Sequence, residues 1–565
     1  MARSECDVIR LLQEARAAHL HVSMRGTQHS MGGQSISPNG LVVDLKRLNH
    51  MHYDESTECV VCGSGCTWAD LIRYLNQFGM SPRTMQSYSS FSVGGTVAVN
   101  GHGITTDECL VHSVRSFRLV RWDGSVVVCS QEAEGDGRDL FGLAIGGYGL
   151  FGVITEVELY TSPNAHLDLE KISMSYKDFV ACYAGVRQRK LEVGLKMARL
   201  NVHNIREIDL FIFRKAQMPA GRTISLLGRQ PREMSLQRQL MYKWVMPNAQ
   251  TLRYKYEQMA GVAIDWSGAL ERNTMMYVSA DPVAKLYEPL LKIDDTFILQ
   301  EFFVPCTSFE AWISDAEPIY QDLAAHPQLR LLNTTIRFVE HDTKTTLNYA
   351  SAEEGMFAFV LYYRMPRTSD ADAELYRFHT RFVKITLALK GTFYLPYRFH
   401  YTPDEMQRSY PRVAEFFRQK ERYDPFGMFD SSWFRHYGLR FCSEGYSDKI
   451  YELQVEPNFA PIPRGPIPAA KARHENAFRA LTSNARMRSE YVEGFLTQIF
   501  NLIDNQTLYR MMAKCIWNPA NDTDQKIYVA LQAELSKLTG PVHEARRAAK
   551  GLWQLAAQKR ELARE

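Results

Sequence analysis

No run of about 20 consecutive apolar residues occurs in this 565-residue chain, so no membrane-spanning helix is expected. An excess of one charge is also missing. Lys and Arg number 66 against 63 Asp and Glu, a net charge of +3, which gives no case for a nucleic-acid binder. No leader pattern opens the chain, because Met1-Ala2-Arg3-Ser4-Glu5 runs straight into a helical pattern. Ten cysteines lie scattered, and with no leader this predicts free thiols in a cytoplasmic protein. Cys59, Cys62 and Cys66 do not make a metal site. Side chains alternate along a strand, so Cys59 and Cys62 point apart, and no fourth ligand is near. What remains is ordinary for a globular chain, 45% hydrophobic and 23% charged. The length suggests about three domains.

Glycine is concentrated where it carries meaning. The first cluster is Arg25-Gly26-Thr27-Gln28-His29-Ser30-Met31-Gly32-Gly33-Gln34. It follows a capped helix over Ser4 to Leu20 and a short strand, His21 to Met24. It precedes a strand at Leu41 to Asp44. The second cluster runs from Ser89 to Gly103 and the third from Gly146 to Gly152, just before a strand at Val153 to Tyr160. Glycines bring bare N–H groups close to a ligand, as a diphosphate needs. One such loop is weak, but three beside strands are hard to explain as turns alone. A hairpin lies between them, Phe117 to Cys129, with Asp123-Gly124 at its turn. The strand–turn–helix at Gly63-Ser64-Gly65 lacks the third glycine and the acidic residue of a nicotinamide-binding fingerprint.

Together the three clusters resemble the FAD-binding domain of the vanillyl-alcohol oxidase/p-cresol methylhydroxylase (PCMH-type) superfamily, and within it FAD-linked oxidases of the cytokinin-dehydrogenase and sugar-alcohol-oxidase kind. The matching motifs are Arg25-Gly26-Thr27-Gln28-His29-Ser30 with Gly33 and Gln34, and Ser92-Val93-Gly94-Gly95 through His102-Gly103. The third is Asp139-Leu140-Phe141 with Gly146 through Thr155. The resemblance covers about residues 4 to 440. The family's usual first strand is absent ahead of the opening helix, which suggests a shortened start. The implied fold is α+β: a PCMH-type FAD-binding domain of two subdomains over 1–161, an α+β cap over 162–389 and a return segment over 390–445. A Pro-rich linker over 446–468 and a helical extension over 469–565 would follow.

The resemblance also assigns roles. His29 falls where many members bond the flavin covalently. Gly26, Thr27, Gln28, Ser30, Gly94, Gly95 and Thr96 would hold the diphosphate, and Gly152 and Ile154 would lie toward the adenine. Arg25, Gln34, Ser92, Asn100 and His102 complete the cofactor-binding set. Gly101 would leave room for oxygen near the flavin, which favours an oxidase over a dehydrogenase. In the cap, Gln300-Glu301-Phe302-Phe303-Val304-Pro305 and Thr335-Ile336-Arg337-Phe338-Val339 match strands that present Glu301 and Arg337 to a substrate. Tyr394 and His400 come from the return segment Gly391 to His400. Glu301, Tyr394 or His400 would accept a proton as hydride leaves a CH–OH or CH–NH carbon.

Two stretches lie outside this scheme. Arg206 to Tyr256 is rich in Arg, Lys, Gln and Met and reads as a solvated helical face, or a surface for lipid or a partner. In the tail, Ala545, Ala548, Leu552, Leu555 and Leu562 recur at heptad-like spacing, a face for the chain's own body, a helical partner or a dimer. A flavin-fold scaffold acting through that tail is the rival to an enzyme. Glu301 and Arg337 favour the enzyme, which needs a small-molecule substrate and oxygen or another electron acceptor.

Overall fold

The computed structural model describes residues 1–189, 191–217, 270–278 and 295–452. The helical extension and its suggested partner face lie outside these residues, as does most of the stretch from Arg206 to Tyr256.

The chain opens on the helix Glu5–Ala17, whose Ser4 cap accepts from the Asp7 N–H at 3.2 Å. The strand Val22–Arg25 then pairs in parallel with Leu41–Asp44. A second sheet runs in the order Met51–Asp54, Cys59–Gly63, Val153–Pro163, Val114–Val120, Val126–Ser130, with Met80–Pro82 against the far end of Val153–Pro163. Gly124 takes φ +84 at the expected hairpin turn. A return near the end completes this half. Val22 donates its N–H to the Met428 carbonyl and accepts from the Asp430 N–H. Lys420 and Asp424, both fully buried, pair beneath it, and Asp424 also accepts from the N–H groups of Met428 and Phe429.

The cap is one antiparallel sheet of eight strands. Its order is Leu270–Glu271, His166–Ser175, Glu207–Lys215, Val193–Leu200, Arg330–Val339, Met356–Pro366, Asp295–Pro305, Thr392–Phe393. The helices Tyr176–Gln188, Phe309–Ala325 and Ser369–Ala388 cover one face. Alternation sorts the longest strands. Phe302 and Phe359 turn to the helices, where Trp312 stacks on Phe359 at 3.9 Å and Phe302 on Phe382 at 5.3 Å. Glu301 and Val360, directly opposite each other in the ladder, turn to the other face, toward the glycine clusters.

Several expectations change. The second glycine cluster contains a helix, Val93–Ala98, not a loop throughout. Glu207–Lys215 is a buried strand of the cap, not part of a solvated helical face. Residues from 446 to 452 belong to the helix Glu444–Glu452, so a linker does not begin there.

Candidate active site

The face of the cap opposite its helices looks across a cleft of about 360 Å³ at the three glycine clusters. The first cluster is held in place by polar contacts at both ends. Arg25 Nε donates to Asp44 at 3.2 Å. Gln34 Nε2 donates to the Leu395 carbonyl at 2.9 Å, and the Met31 N–H to the Pro396 carbonyl at 2.8 Å. Within the loop Gln28 adopts φ +62, a left-handed conformation uncommon for a residue with a side chain. The Thr27 hydroxyl accepts from the Ser92 N–H at 3.1 Å and so joins the first cluster to the second. Gly26 needs its bareness, because a Cβ there would meet Ser92 Oγ at 2.0 Å.

His29 faces the cleft with its ring stacked on Phe91 at 4.0 Å. Partial desolvation lowers its pKa, opposed by a hydrogen bond with the Ser90 backbone.

Not all of the expected diphosphate ligands are disposed to bind one. The Gly94 N–H donates to the Ser64 carbonyl at 2.9 Å. The Thr96 hydroxyl receives the Trp68 indole N–H at 2.8 Å and donates inward, with Gln86 Oε1 at 3.2 Å and the Ser92 carbonyl at 2.9 Å. These two residues shape the wall from within. Asn100 lies behind the cleft. Its side chain donates to Asp342 at 3.1 Å and accepts from the Val111 N–H at 3.0 Å. Gly152, at φ +151, and Ile154 line the cleft with the third cluster. Gly101 lines it too, and a Cβ there would meet Thr96 Cγ2 at 2.5 Å, so packing alone already requires this glycine.

The strongest local arrangement pairs residues that the sequence reading kept apart. His102 Nε2 stands 2.6 Å from Glu301 Oε1, and both side chains are almost wholly buried. The contact is not aligned as a hydrogen bond. Nε2 and Glu301 Oε1 therefore partner each other as a close ion pair, and His102 Nδ1 meets no hydrogen-bond partner among the described residues. Burial raises the Glu301 pKa, but His102, Arg337 and a hydrogen bond from Tyr397 outweigh it, and the carboxyl is held below its ordinary range. The Tyr397 hydroxyl donates to Glu301 Oε2 at 3.3 Å. Arg337 donates to Ser87 Oγ at 2.6 Å and to the His102 carbonyl at 3.4 Å, leaving its buried Nε without a partner.

Of the return segment, Tyr394 lines the cleft, but its hydroxyl already donates to the Val99 carbonyl at 2.7 Å. His400 does not line it. Pro396 redirects the chain, and His400 instead faces His379 on the helix Ser369–Ala388, Nδ1 to Nδ1 at 2.7 Å. Tyr397 and the pairing of His102 with Glu301 escaped sequence reasoning. Tyr397 stood out only as one of several aromatic residues in its segment, and no local pattern joins residue 102 to residue 301.

The site therefore combines permissive backbone, a half-enclosed cleft and buried polar atoms that have no hydrogen-bond partner among the described residues: Ser64 Oγ, His102 Nδ1 and Arg337 Nε. These fit a large ligand that brings its own donors and acceptors.

Comparison with known proteins agrees. The FAD binding domain family matches residues 1–130, and the D-arabinono-1,4-lactone oxidase family matches residues 290–437. Cytokinin dehydrogenase 1 of Arabidopsis thaliana is 29% identical over 174 residues, 29% of this chain and 29% of that protein. Cytokinin dehydrogenase 4 of Oryza sativa subsp. japonica is 31% identical over 182 residues, 30% of this chain and 33% of that protein. The matched stretch thus spans a third or less of these two relatives. The solved structure of 6-hydroxy-D-nicotine oxidase from Arthrobacter nicotinovorans superposes with a TM-score of 0.52 at 13% identity, covering 76% of this chain and 89% of that one. That likeness is one of fold.

Proposed function

We propose that this chain is an FAD-linked oxidoreductase of the PCMH-type superfamily that removes hydride from a CH–OH or CH–NH carbon, with Glu301, held against His102, receiving the proton. The observation that carries this reading is the Glu301 carboxylate, buried on the cleft 2.6 Å from His102 Nε2 and beside Arg337. When bound, FAD supplies the two-electron acceptor. The substrate's C–H bond breaks with its electron pair leaving on the hydrogen, and the O–H or N–H proton passes to Glu301, giving a carbonyl or an imine. Held below its ordinary range, Glu301 is ionised at neutral pH and needs no prior deprotonation. His102 stabilises the carboxylate. Arg337, anchored on Ser87 and the His102 carbonyl, presents its Nε to an oxygen of the substrate.

His29 is the proposed point of covalent attachment. What supports it is an imidazole facing the cleft from the first glycine cluster. Oxygen is the proposed electron acceptor, a reading to which Gly101 adds nothing because packing against Thr96 already requires a glycine there. A dehydrogenase would share every feature, and the reduced protein's reoxidation rate in air against a dye acceptor separates the two.

The test is anaerobic. The purified yellow protein is mixed with alcohols, amines and lactones, and the flavin absorbance is followed. Bleaching by any of them supports hydride removal. A flavin that no member of the panel bleaches removes the reading.

A further inference from the structure

The cap's cleft-facing surface is not uniform. Along the strand Asp295–Pro305, alternation puts Phe297, Leu299 and Glu301 on the cleft, and all three line it. The neighbouring strand sets Val360 opposite Glu301 and Tyr362 opposite Leu299, and both line the cleft as well. Polar groups therefore gather at one end, where Glu301 meets His102, Arg337 and Tyr397. The next two rows outward line the cleft with Leu299, Tyr362 and Phe297, while Arg364, opposite Phe297, is held by Asp295 and does not line it. Phe297 and Tyr362 stack at 5.7 Å at the outer end. Four residues of strand, from Glu301 to Phe297, span about 13 Å.

We infer that the substrate is an alcohol or amine with its reacting carbon at the end of an apolar tail, not a polyol or sugar lactone. This rests on the reading above and names the substrate class for that site. A polyol reaching along the strand would set its distal hydroxyls against the side chains of Leu299, Val360 and Phe297, which offer them no hydrogen bond. A hydrocarbon or aromatic tail loses nothing there and gains by leaving water. Leu299, Val360 and Phe297 set the specificity, and Glu301 fixes which end reacts.

The experiment uses the flavin-loaded protein and two measurements. Binding is read from the shift in flavin absorbance with tertiary alcohols of increasing tail length, which lack the transferable hydrogen. Turnover is read by bleaching with the matching primary alcohols and amines, and with polyols and sugar lactones. Binding tightens about fourfold for each added methylene until the tail passes Phe297, the factor that burial of one such group gives. Leu299→Ser and Phe297→Ser flatten that slope while the shortest alcohols, which do not reach these rows, bind as before, and melting temperatures confirm that both variants fold. Affinity independent of tail length overturns the inference, as does preferential bleaching by polyols or lactones, which would leave hydride removal standing. Tail-dependent binding with no bleaching by any compound would support the apolar class and remove the hydride reading instead.

Discussion

His379 and His400 face each other across 2.7 Å, Nδ1 to Nδ1, so one ring must donate and the other accept. Burial above all holds both below the ordinary histidine range. His379 lies well below it, with the charges of His400 and Arg398 adding, and His400 is brought to about 4, with Asp372 opposing and Arg398 assisting. Unfolded, these histidines take up protons from about pH 6.5 downward. Folded, His400 does so only near pH 4. The unfolded state thus binds more protons in between, and stability falls as pH drops from about 6.5 toward 4. Urea unfolding across that range should show the loss, and His400→Asn should make it shallower. Superimposable acid limbs for both proteins would clear the pair of responsibility.

The Glu301 carboxylate is the expected proton acceptor. Glu301→Gln keeps the shape and should slow anaerobic flavin reduction by about 10²- to 10⁴-fold, with flavin content unchanged. Because the carboxyl lies below its ordinary range, its ionisation should leave the wild-type reduction rate level as pH falls from 8 to 5. An undiminished rate in the variant assigns the proton to another group.

His29→Ala tests attachment separately from chemistry. Wild-type protein precipitated with acid should keep its yellow colour and fluoresce on a denaturing gel. The variant should release its flavin to the supernatant. Flavin that washes out of the unfolded wild type ends the covalent assignment.

Lys420 and Asp424 offer a stability test far from the chemistry. Both are fully buried, and the carboxylate also receives two backbone N–H groups. Asp424→Ala leaves a buried ammonium alone and should cost about 3–5 kcal/mol, read as a shifted urea midpoint. A loss under 1 kcal/mol would mean that water reaches the lysine.

The sequence and the structure meet most closely where the signal is local. The Ser4 cap, the strand Leu41–Asp44 and the Asp123-Gly124 turn are set by neighbouring residues, and each falls where expected. The strand Val193–Leu200 was missed because seven of its eight residues are buried, Lys196 and Arg199 included, and burial on both faces erases alternation. Glu207–Lys215 was masked by its charged ends around a buried Ile208–Phe213 core. At the site, the residues that motif matching singled out for a cofactor line one cleft, Asn100 excepted, but the motifs could not show that the Thr96 hydroxyl turns inward. Nor could they find the His102–Glu301 contact, which exists only once two sheets pack together.

The return segment closes the cleft with bonds from Leu395, Pro396 and Tyr394 to residues of the first two clusters, and from Tyr397 to Glu301. This has a consequence for biosynthesis. As the chain leaves the ribosome, all three glycine clusters emerge long before residue 397. Until then they lack the wall that completes the cavity, so the cavity itself is a late product of translation. A chain halted before Tyr394 would own every glycine motif and none of the contacts that close them in.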